Sequence, residues 1–249
     1  MPRLRLAGFT AAAVVLLSAG ASAGPPFVTD DPEPVDPHVW EVNYALTGTL
    51  VSGGGDSSLP LIDANYGAAA GLQLHIQPQL AVTRAGGRTH AGIGDTEIGV
   101  KYRLIGQDDD GWMPLVSVYP LVELPTGSKR RGLGEGTART FLPIWAEKTI
   151  GRWTVYGGGG YGINPGGGKN AWFAGGVALY QLTPAFQLGG ELFLQTAELQ
   201  GDPDAPGFNI GGIYAVTDEF RLLFSAGSGL AHRDQTNQLS GYLALQIQY

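Results

Sequence analysis

The sequence predicts an all-β fold, a transmembrane antiparallel β-barrel with 12 strands, short periplasmic turns and longer outer loops. Apolar and polar residues alternate with period two along segments of about ten residues, as in WEVNYALT at residues 40–47. Residues i and i+2 of a strand share a face, so each segment has one apolar and one polar face. Segments of this length suit a tilted membrane crossing better than a soluble strand.

The composition supports a lipid-facing surface. Charged residues make up 15% of the chain and hydrophobic residues 43%, whereas a soluble domain carries about a quarter charged residues. The apolar residues are dispersed, and after the first residues no run approaches the roughly 18 that a spanning helix needs. A strand with one face in lipid accounts for both features, and the predicted location is the cell outer membrane.

Residues 1–23 are predicted to be a cleaved signal peptide. Arg3 and Arg5 precede an apolar run at 6–17, and Ala21-Ser22-Ala23 supplies a small-residue cleavage site. Cleavage would remove two arginines and no acid, so the formal charge would change from −7 to −9. That acidity argues against a nucleic-acid partner.

The barrel is predicted to occupy residues 39–249. Its twelve strands are expected near 39–50, 59–66, 72–83, 93–105, 113–125, 140–149, 153–163, 171–180, 185–196, 208–216, 220–228 and 238–249. Pro78 cannot donate to the ladder and predicts a bulge.

The connections alternate in length along the chain. Those after even-numbered strands are tight, as at Gly106–Gly111, and those after odd-numbered strands are longer, as at Ser52–Ser57 and Arg84–Ala91. Short periplasmic turns and long outer loops are typical of bacterial outer-membrane barrels. Repeated aromatic residues near strand ends fit the interfacial girdles of such barrels and disfavour a soluble β-sandwich.

Residues 24–38, GPPFVTDDPEPVDPH, form a Pro-rich acidic segment. This composition favours an extended chain without a packed core, and we expect a periplasmic tail. The alternative is a plug that enters the lumen, with Phe27 and Val28 as its buried part.

The polar strand faces predict a lumen that holds water. The candidate lumen-lining residues are Glu41, Asp63, His75, Asp95, Glu97, Lys101, Arg103, Glu123, Glu191 and Arg221. The interior of a barrel of about eight strands is filled by side chains, whereas a barrel of about sixteen strands encloses a wide channel. The width of a 12-stranded barrel lies between these two. The predicted function is a narrow diffusion channel or transporter for small solutes, aromatic compounds among them. The alternative is a non-conducting structural or adhesin-like barrel.

No motif in the sequence predicts an enzyme, a cofactor or a metal site. Gly168-Lys169 is followed by Asn170, whereas a phosphate-binding P-loop needs Ser or Thr there. Asp108–Asp110 lacks the alternate ligands of a calcium loop. Ser228 lies near His232 in the sequence, but the surrounding residues do not form a G-x-S-x-G motif and no orienting acid is evident.

The expected partners follow from the predicted location. They are outer-membrane lipid, lipopolysaccharide, small-molecule solutes and the barrel-assembly machinery, which would engage the C-terminal strand ending at Tyr249. Lys129-Arg130-Arg131 could contact lipopolysaccharide phosphates, although a solvated charge run is the favoured interpretation.

Several blocks of the mature chain resemble one family of outer-membrane proteins. They are PPFVTDDPEPV, HVWEVNYA, LPLIDANYG, GIGDTEIGVKYRLI, PLVELPTGS with RGLGEG, and WTVYGGGGYG, in that order. The family is named for the meta-pathway of phenol degradation. The resemblance implies an outer-membrane barrel and the passage of small or aromatic molecules, and it implies no catalytic or binding residues.

Overall fold

The computed structural model describes residues 26–106 and 112–249, which form one antiparallel sheet. The predicted signal peptide and residues 107–111 of the predicted turn Gly106–Gly111 lie outside the described residues. The strands are β1 (Trp40–Val51), β2 (Gly54–Ala69), β3 (Leu72–Gln77), β4 (Gln79–Ala85), β5 (Arg88–Ile93), β6 (Thr96–Ile105), β7 (Leu115–Val118), β8 (Leu121–Leu124), β9 (Arg139–Ile150), β10 (Trp153–Ile163), β11 (Ala171–Thr183), β12 (Phe186–Gln195), β13 (Ala205–Ala215), β14 (Phe220–Gly229) and β15 (Leu239–Gln248). A 3₁₀ helix at Lys129–Arg131 lies between β8 and β9. No helix in these described ranges is long and apolar enough to span a membrane.

Three barrel strands are each built from two consecutive segments. The breaks lie at Pro78 between β3 and β4, at Gly94-Asp95 between β5 and β6, and at Tyr119-Pro120 between β7 and β8. The ladder shifts register opposite Pro78, whose carbonyl accepts a bond from the amide of Ile62 at 3.0 Å, so the predicted irregularity at Pro78 is confirmed. Joining the segments gives the predicted 12 barrel strands.

The barrel closes because β1 pairs with both β2 and β15. The β1–β15 register runs from Glu41 opposite Gln248 to Leu50 opposite Leu239. The backbones of Trp40 and Tyr249 add two hydrogen bonds, of 2.8 and 3.0 Å. No β1 edge is left to face lipid, where unsatisfied backbone groups are costly.

The outer surface carries an apolar belt between two aromatic girdles. Near the rim that holds the short turns, Trp40 packs against Tyr66 and Trp153 packs against Tyr180 with tilted rings, and the ring centroids of each pair are 4.8 Å apart. Near the opposite rim, Tyr161 and Trp172 form a third pair at 4.8 Å. Girdles of this kind mark the two membrane interfaces of outer-membrane barrels.

Two of the connections predicted as long outer loops are tight hairpins. Residues 52–53 join β1 to β2 and residues 86–87 join β4 to β5, so most of Ser52–Ser57 and Arg84–Ala91 belongs to strands. Gly86 and Gly87 have φ of +56° and +75°, as a two-residue hairpin turn of type I′ requires. The other four outer connections are long, at 125–138, 164–170, 196–204 and 230–238.

The closure predicts that the end of β15 is required for assembly. Deleting Ile247–Tyr249 removes the residues that pair with Val42, Glu41 and Trp40. Because the sheet would then keep an open edge, we expect the chain to be degraded before it folds into the membrane. A heat-modifiable band in outer-membrane fractions measures folded barrel.

Deleting Gly166–Gly168 from the loop between β10 and β11 is the matched control, and it should leave that band in place. If the C-terminal deletion also gave normal amounts of heat-modifiable protein, the end of β15 would not be needed for closure.

Candidate functional site

The lumen has two chemically different walls, and the first of them is polar. It is formed by β1, β2, β3, β6 and β15, which also carry a small buried apolar cluster of Ala45, Leu61 and Ala244. Most of the inward side chains on these strands are hydrophilic. They include Asn43, Asp63, Asn65, Gln73, His75, Gln77, Glu97, Lys101 and Gln246.

Asp63 lies at the centre of a hydrogen-bond network on this polar wall. Its carboxylate accepts bonds from the side-chain amides of Asn43 at 2.9 Å and Asn65 at 2.8 Å. The His75 ring bridges two carboxylates, with Nδ1 3.1 Å from Asp63 and Nε2 3.3 Å from Glu97. Buried charges are stable only when paired and hydrogen-bonded, so these contacts hold the polar wall together.

The second wall is apolar and aromatic. It is formed by strands β7 to β12 and contains Tyr119, Leu121, Phe141, Trp145, Tyr156, Phe173, Val177, Leu179 and Phe193. The Phe173 ring lies 6.4 Å from Phe141, 6.1 Å from Trp145 and 6.3 Å from Phe193, measured between centroids. These separations fall within the range of favourable aromatic pairs.

The sequence analysis did not place this aromatic wall inside the barrel. On β9 the exposed residues that face lipid are Leu142 and Ile144, whereas Trp145 is buried in the lumen. Both faces of β9 are therefore apolar, which hides the alternation. The signal that could have revealed it is Glu147, which shares a face with Phe141 and Trp145 and cannot face lipid.

The N-terminal segment, residues 26–37, lies between the two walls instead of forming the expected periplasmic tail. Phe27 is buried against Tyr156, Val177 and Leu179 of the apolar wall. This placement agrees with the alternative of a plug in the lumen. The Pro-rich composition allows it, because proline has no N–H group that would need a partner there.

Polar side chains of the barrel hold the N-terminal segment at several points along its length. Glu191 accepts hydrogen bonds from the backbone amides of Val28, at 3.1 Å, and Thr29. Lys101 Nζ lies 3.2 Å from the Asp30 carboxylate and 2.9 Å from the carbonyl oxygen of Asp31.

Further contacts of the N-terminal segment come from three barrel hydroxyl and amide groups. The hydroxyls of Ser225 and Ser117 donate to the carbonyls of Pro26 and Pro32. The side-chain oxygen of Gln73 accepts a bond from the amide of Val35 at 2.9 Å. The wall thus pairs several of the backbone donors and acceptors of this irregular segment, although the buried hydroxyl of Thr29 has no hydrogen-bond partner among the described residues.

Nine of the ten candidate lumen-lining residues lie on the more buried face of their strands, and Asp95 lies in the break between β5 and β6. The deeply buried ones are Asp63, His75, Asp95, Glu97, Lys101 and Glu191, and the half-buried ones are Glu41, Arg103, Glu123 and Arg221. Several of them bind protein groups: Glu191 and Lys101 hold the N-terminal segment, and His75 links Asp63 to Glu97.

A chamber lies between the N-terminal segment and the rim of long loops. One cavity of about 180 Å³ has Pro26, Phe27 and Val28 along one side. A second, of about 160 Å³, shares several wall residues with it and extends beneath the 125–138 loop.

Asp95 holds that loop over the chamber. Its two carboxylate oxygens accept hydrogen bonds from the backbone amides of Gly127 and Glu135, each at 2.7 Å. Leu133 of the loop is buried. The break between β5 and β6 therefore places a carboxylate where it can fix a loop across the mouth.

Three carboxylates of the chamber and of the pocket beside it lie around one guanidinium group. Arg139 lies 3.1 Å from Glu123, 3.0 Å from Glu198 and 4.0 Å from Glu135. Burial raises the pKa of the Glu198 carboxyl above its usual range, and the positive charge of Arg139 opposes this. Neither Arg139 nor Glu198 was predicted to line the lumen, because both lie just outside the strands predicted at 140–149 and 185–196.

Lys101 is predicted to anchor the N-terminal segment. Lys101→Met keeps an unbranched apolar side chain but leaves the buried Asp30 without its cation, which costs about 3 kcal/mol. That energy corresponds to roughly a 100-fold change in the ratio of docked to released segment. Hydrogen exchange followed by mass spectrometry should therefore be faster in a peptide containing Val28 and Thr29.

Lys169→Met removes an exposed loop lysine and serves as the control, with unchanged exchange expected in the same peptide. Equal protection of that peptide in Lys101→Met and in the parent protein would show that the ion pair does not hold the segment.

Comparison with known proteins agrees with this architecture. Residues 40–247 match the family model described as the MetA-pathway of phenol degradation. An outer-membrane channel from Pseudomonas putida F1 has a TM-score of 0.66 at 15% identity, over 88% of this chain and 98% of that chain. The NanC porin has a TM-score of 0.58 at 11% identity, over 84% of this chain and 98% of that chain.

At these identities the two solved structures show a shared fold. No curated protein matched the chain. The family model covers most of the sequence and confirms the resemblance on which the sequence analysis drew. The chain is thus an outer-membrane β-barrel that belongs to the MetA-pathway of phenol degradation family.

Proposed function

We propose that this protein is a narrow diffusion channel for small solutes and that it favours small aromatic molecules. The observation that carries the proposal is the pairing of a polar wall with an aromatic wall in one lumen. Beside the chamber one pocket is lined both by charged groups, Glu97, Glu123, Arg139 and Glu198, and by apolar groups, Leu121, Phe141 and Phe173. A solute with a ring and a polar group can contact both kinds of surface there, whereas a purely polar or purely apolar solute satisfies only one.

The size of the chamber supports a solute of one ring. Its larger cavity, about 180 Å³, is comparable to the engineered cavity of about 150 Å³ that binds benzene in another protein. Phe27 and Leu61 contribute apolar surface to this cavity, and Glu97, Glu123 and Tyr242 contribute polar groups.

The carboxylates of the chamber favour cations over anions. Glu123 and Glu198 both lie within 3.1 Å of the single Arg139 guanidinium. Water-poor walls focus the field of such a cluster, and salt screens it over about 10 Å at 0.1 M. We therefore expect a mild cation preference that is strongest at low ionic strength.

The lumen contacts support transport more than catalysis. Both ring nitrogens of His75 face carboxylates, Asp63 and Glu97, so the ring is placed as a bridge within the wall. The competing function is that of a non-conducting structural or adhesin-like barrel. Such a barrel would bind its partners through the loops of the outer rim. The tight hairpins at 52–53 and 86–87 reduce the surface available for it.

Reconstitution into planar bilayers tests the proposal. Reversal potentials across a potassium chloride gradient should show cation preference, and Glu198→Gln should move them toward zero by removing one carboxylate beside Arg139. Asp218→Asn, on an exposed turn between β13 and β14, is the matched control and should change them little. Phenylalanine should interrupt the current for longer than leucine, a zwitterion of similar size without a ring.

The outcomes separate the possibilities. Anion selectivity would contradict the role of the chamber carboxylates, and equal interruption by phenylalanine and leucine would contradict the aromatic preference. A folded, reconstituted protein that passes no current would favour the structural barrel.

A further inference from the structure

Asp95 is a buried carboxylate that binds backbone amides of a single loop. It lies in the break between β5 and β6 and is 4% exposed. Its two oxygens accept the N–H groups of Gly127 and Glu135, and no ion pair among the described residues includes it. A buried charge is costly unless it is hydrogen-bonded. The burial of Asp95 therefore depends on the 125–138 loop, and the position of the loop depends on Asp95.

Two glycines let the loop backbone approach this carboxylate closely. A Cβ added at Gly134 would lie 2.2 Å from Oδ1 of Asp95, and one added at Gly127 would lie 2.1 Å from the carbonyl oxygen of Leu133. Both distances are far shorter than van der Waals contact, so a larger residue at either position would force the loop apart. We name the two hydrogen bonds between Asp95 and the loop the Asp95 anchor.

The loop continues from the Asp95 anchor onto the inner surface of β5. Leu133 is 4% exposed, and its Cδ1 would lie 3.2 Å from a Cβ added at Gly92. The Arg131 guanidinium donates a hydrogen bond of 2.6 Å to the carbonyl oxygen of Ala91. The loop, which leaves the barrel at the end of β8, thus leans inward past β6 to reach β5.

The inner edge of the loop, residues 132–135, forms one side of the entrance to the chamber. It lines the cavity of about 160 Å³ together with Thr47 and Thr49 of β1. The same two threonines line the larger cavity of about 180 Å³ beside the N-terminal segment. Of the four long outer connections in the described part of the chain, only 125–138 lines either cavity. The gap between the loop edge and β1 therefore sets the width of the entrance.

We propose that Asp95 is a specificity-determining residue that fixes the size limit of the channel. By holding the loop edge over the entrance, it admits solutes of about one ring and excludes larger ones. The inference rests on the proposed channel function and adds the residue that sets the upper size. Loss of the Asp95 anchor frees the loop edge to move away from β1, which widens the entrance and leaves the walls of the chamber below unchanged.

Polyethylene glycols of graded size, added to the protein in planar bilayers, measure the size limit. Polymers that enter the channel lower its conductance, whereas excluded polymers do not. Asp95→Asn keeps the shape of the side chain but replaces one acceptor oxygen by an amide group that faces a loop N–H. This variant should admit larger polymers than the parent protein does.

Gly134→Ala disrupts the Asp95 anchor without changing any charge. The added Cβ would lie 2.2 Å from Asp95 Oδ1, so the loop or the carboxylate must move, and the size limit should rise again. Gly176→Ala is its control, because that Cβ meets only the Tyr156 carbonyl oxygen, at 3.9 Å. Asp56→Asn is the control for charge, because it removes one carboxylate from the cavity wall and none of the loop bonds. Both controls should keep the parent size limit.

Hydrogen exchange of the loop distinguishes the anchor from the channel function. A peptide spanning 125–138 contains both amides that bind Asp95. Losing one hydrogen bond to a charged acceptor should speed exchange at that amide about tenfold in Asp95→Asn. A peptide spanning the 196–204 loop should exchange as in the parent protein.

A conducting parent protein whose size limit is unchanged in Asp95→Asn and Gly134→Ala would overturn the inference and leave the channel function standing. Unchanged exchange of the 125–138 peptide in Asp95→Asn would also overturn it. Absence of current in the parent protein and in both variants, with faster loop exchange, would instead overturn the channel function and the size limit with it. If Asp95→Asn lost its heat-modifiable band, Gly134→Ala, which keeps every charge, would decide between these outcomes.

Discussion

The hydrogen bonds between β1 and β15 close the sheet, and the rest of the molecule depends on that closure. In lipid an unsatisfied backbone group costs several kcal/mol, so a spanning sheet must have no open edge. Closure also creates an interior that water and lipid reach only through the rims. Each polar side chain turned inward must then find its partners inside. The network around Asp63 and the ion pair between Lys101 and Asp30 meet that requirement.

The same requirement changes how the charges of the lumen are understood. Glu191 and Lys101 look like pore-lining charges in the sequence, but both hold the N-terminal segment. His75 is likewise engaged by Asp63 and Glu97. Because paired charges contribute little net field, selectivity should depend on groups whose charge is only partly compensated. The carboxylates of Glu123 and Glu198, which lie around Arg139, are the clearest example.

The architecture was predictable because it is encoded in local periodicity. The alternation at 40–47 predicted a strand with the correct lumen face, and Pro78 predicted the irregularity in its strand. The lumen positions of Asp63 and Glu97 followed from the same alternation. None of these predictions required knowledge of a distant contact.

The features that sequence reasoning missed depend on contacts between distant residues. Pro26 meets Ser225, which is 199 positions away, so composition alone made its segment look like a free tail. Trp145 faces the lumen because β9 has apolar residues on both faces, which removes the pattern that alternation needs. Arg139 gains its importance from Glu198, 59 positions further along the chain.

Cross-linking within the lumen tests most directly whether the N-terminal segment occupies it. The natural chain has no cysteine, so Thr29→Cys/Gly175→Cys introduces a single pair. A Cβ added at Gly175 would lie 3.2 Å from that of Thr29, a few tenths of an ångström short of the roughly 3.5–4.5 Å that disulfides span. Thr29→Cys/Thr49→Cys, with the second cysteine near the loop rim, is the control. If the segment is docked in the lumen, an intramolecular disulfide should form in the first pair alone. Both cysteines of that pair should then react with an alkylating reagent only after the disulfide has been reduced. Free, reactive thiols at both positions of the first pair in the folded barrel would contradict it.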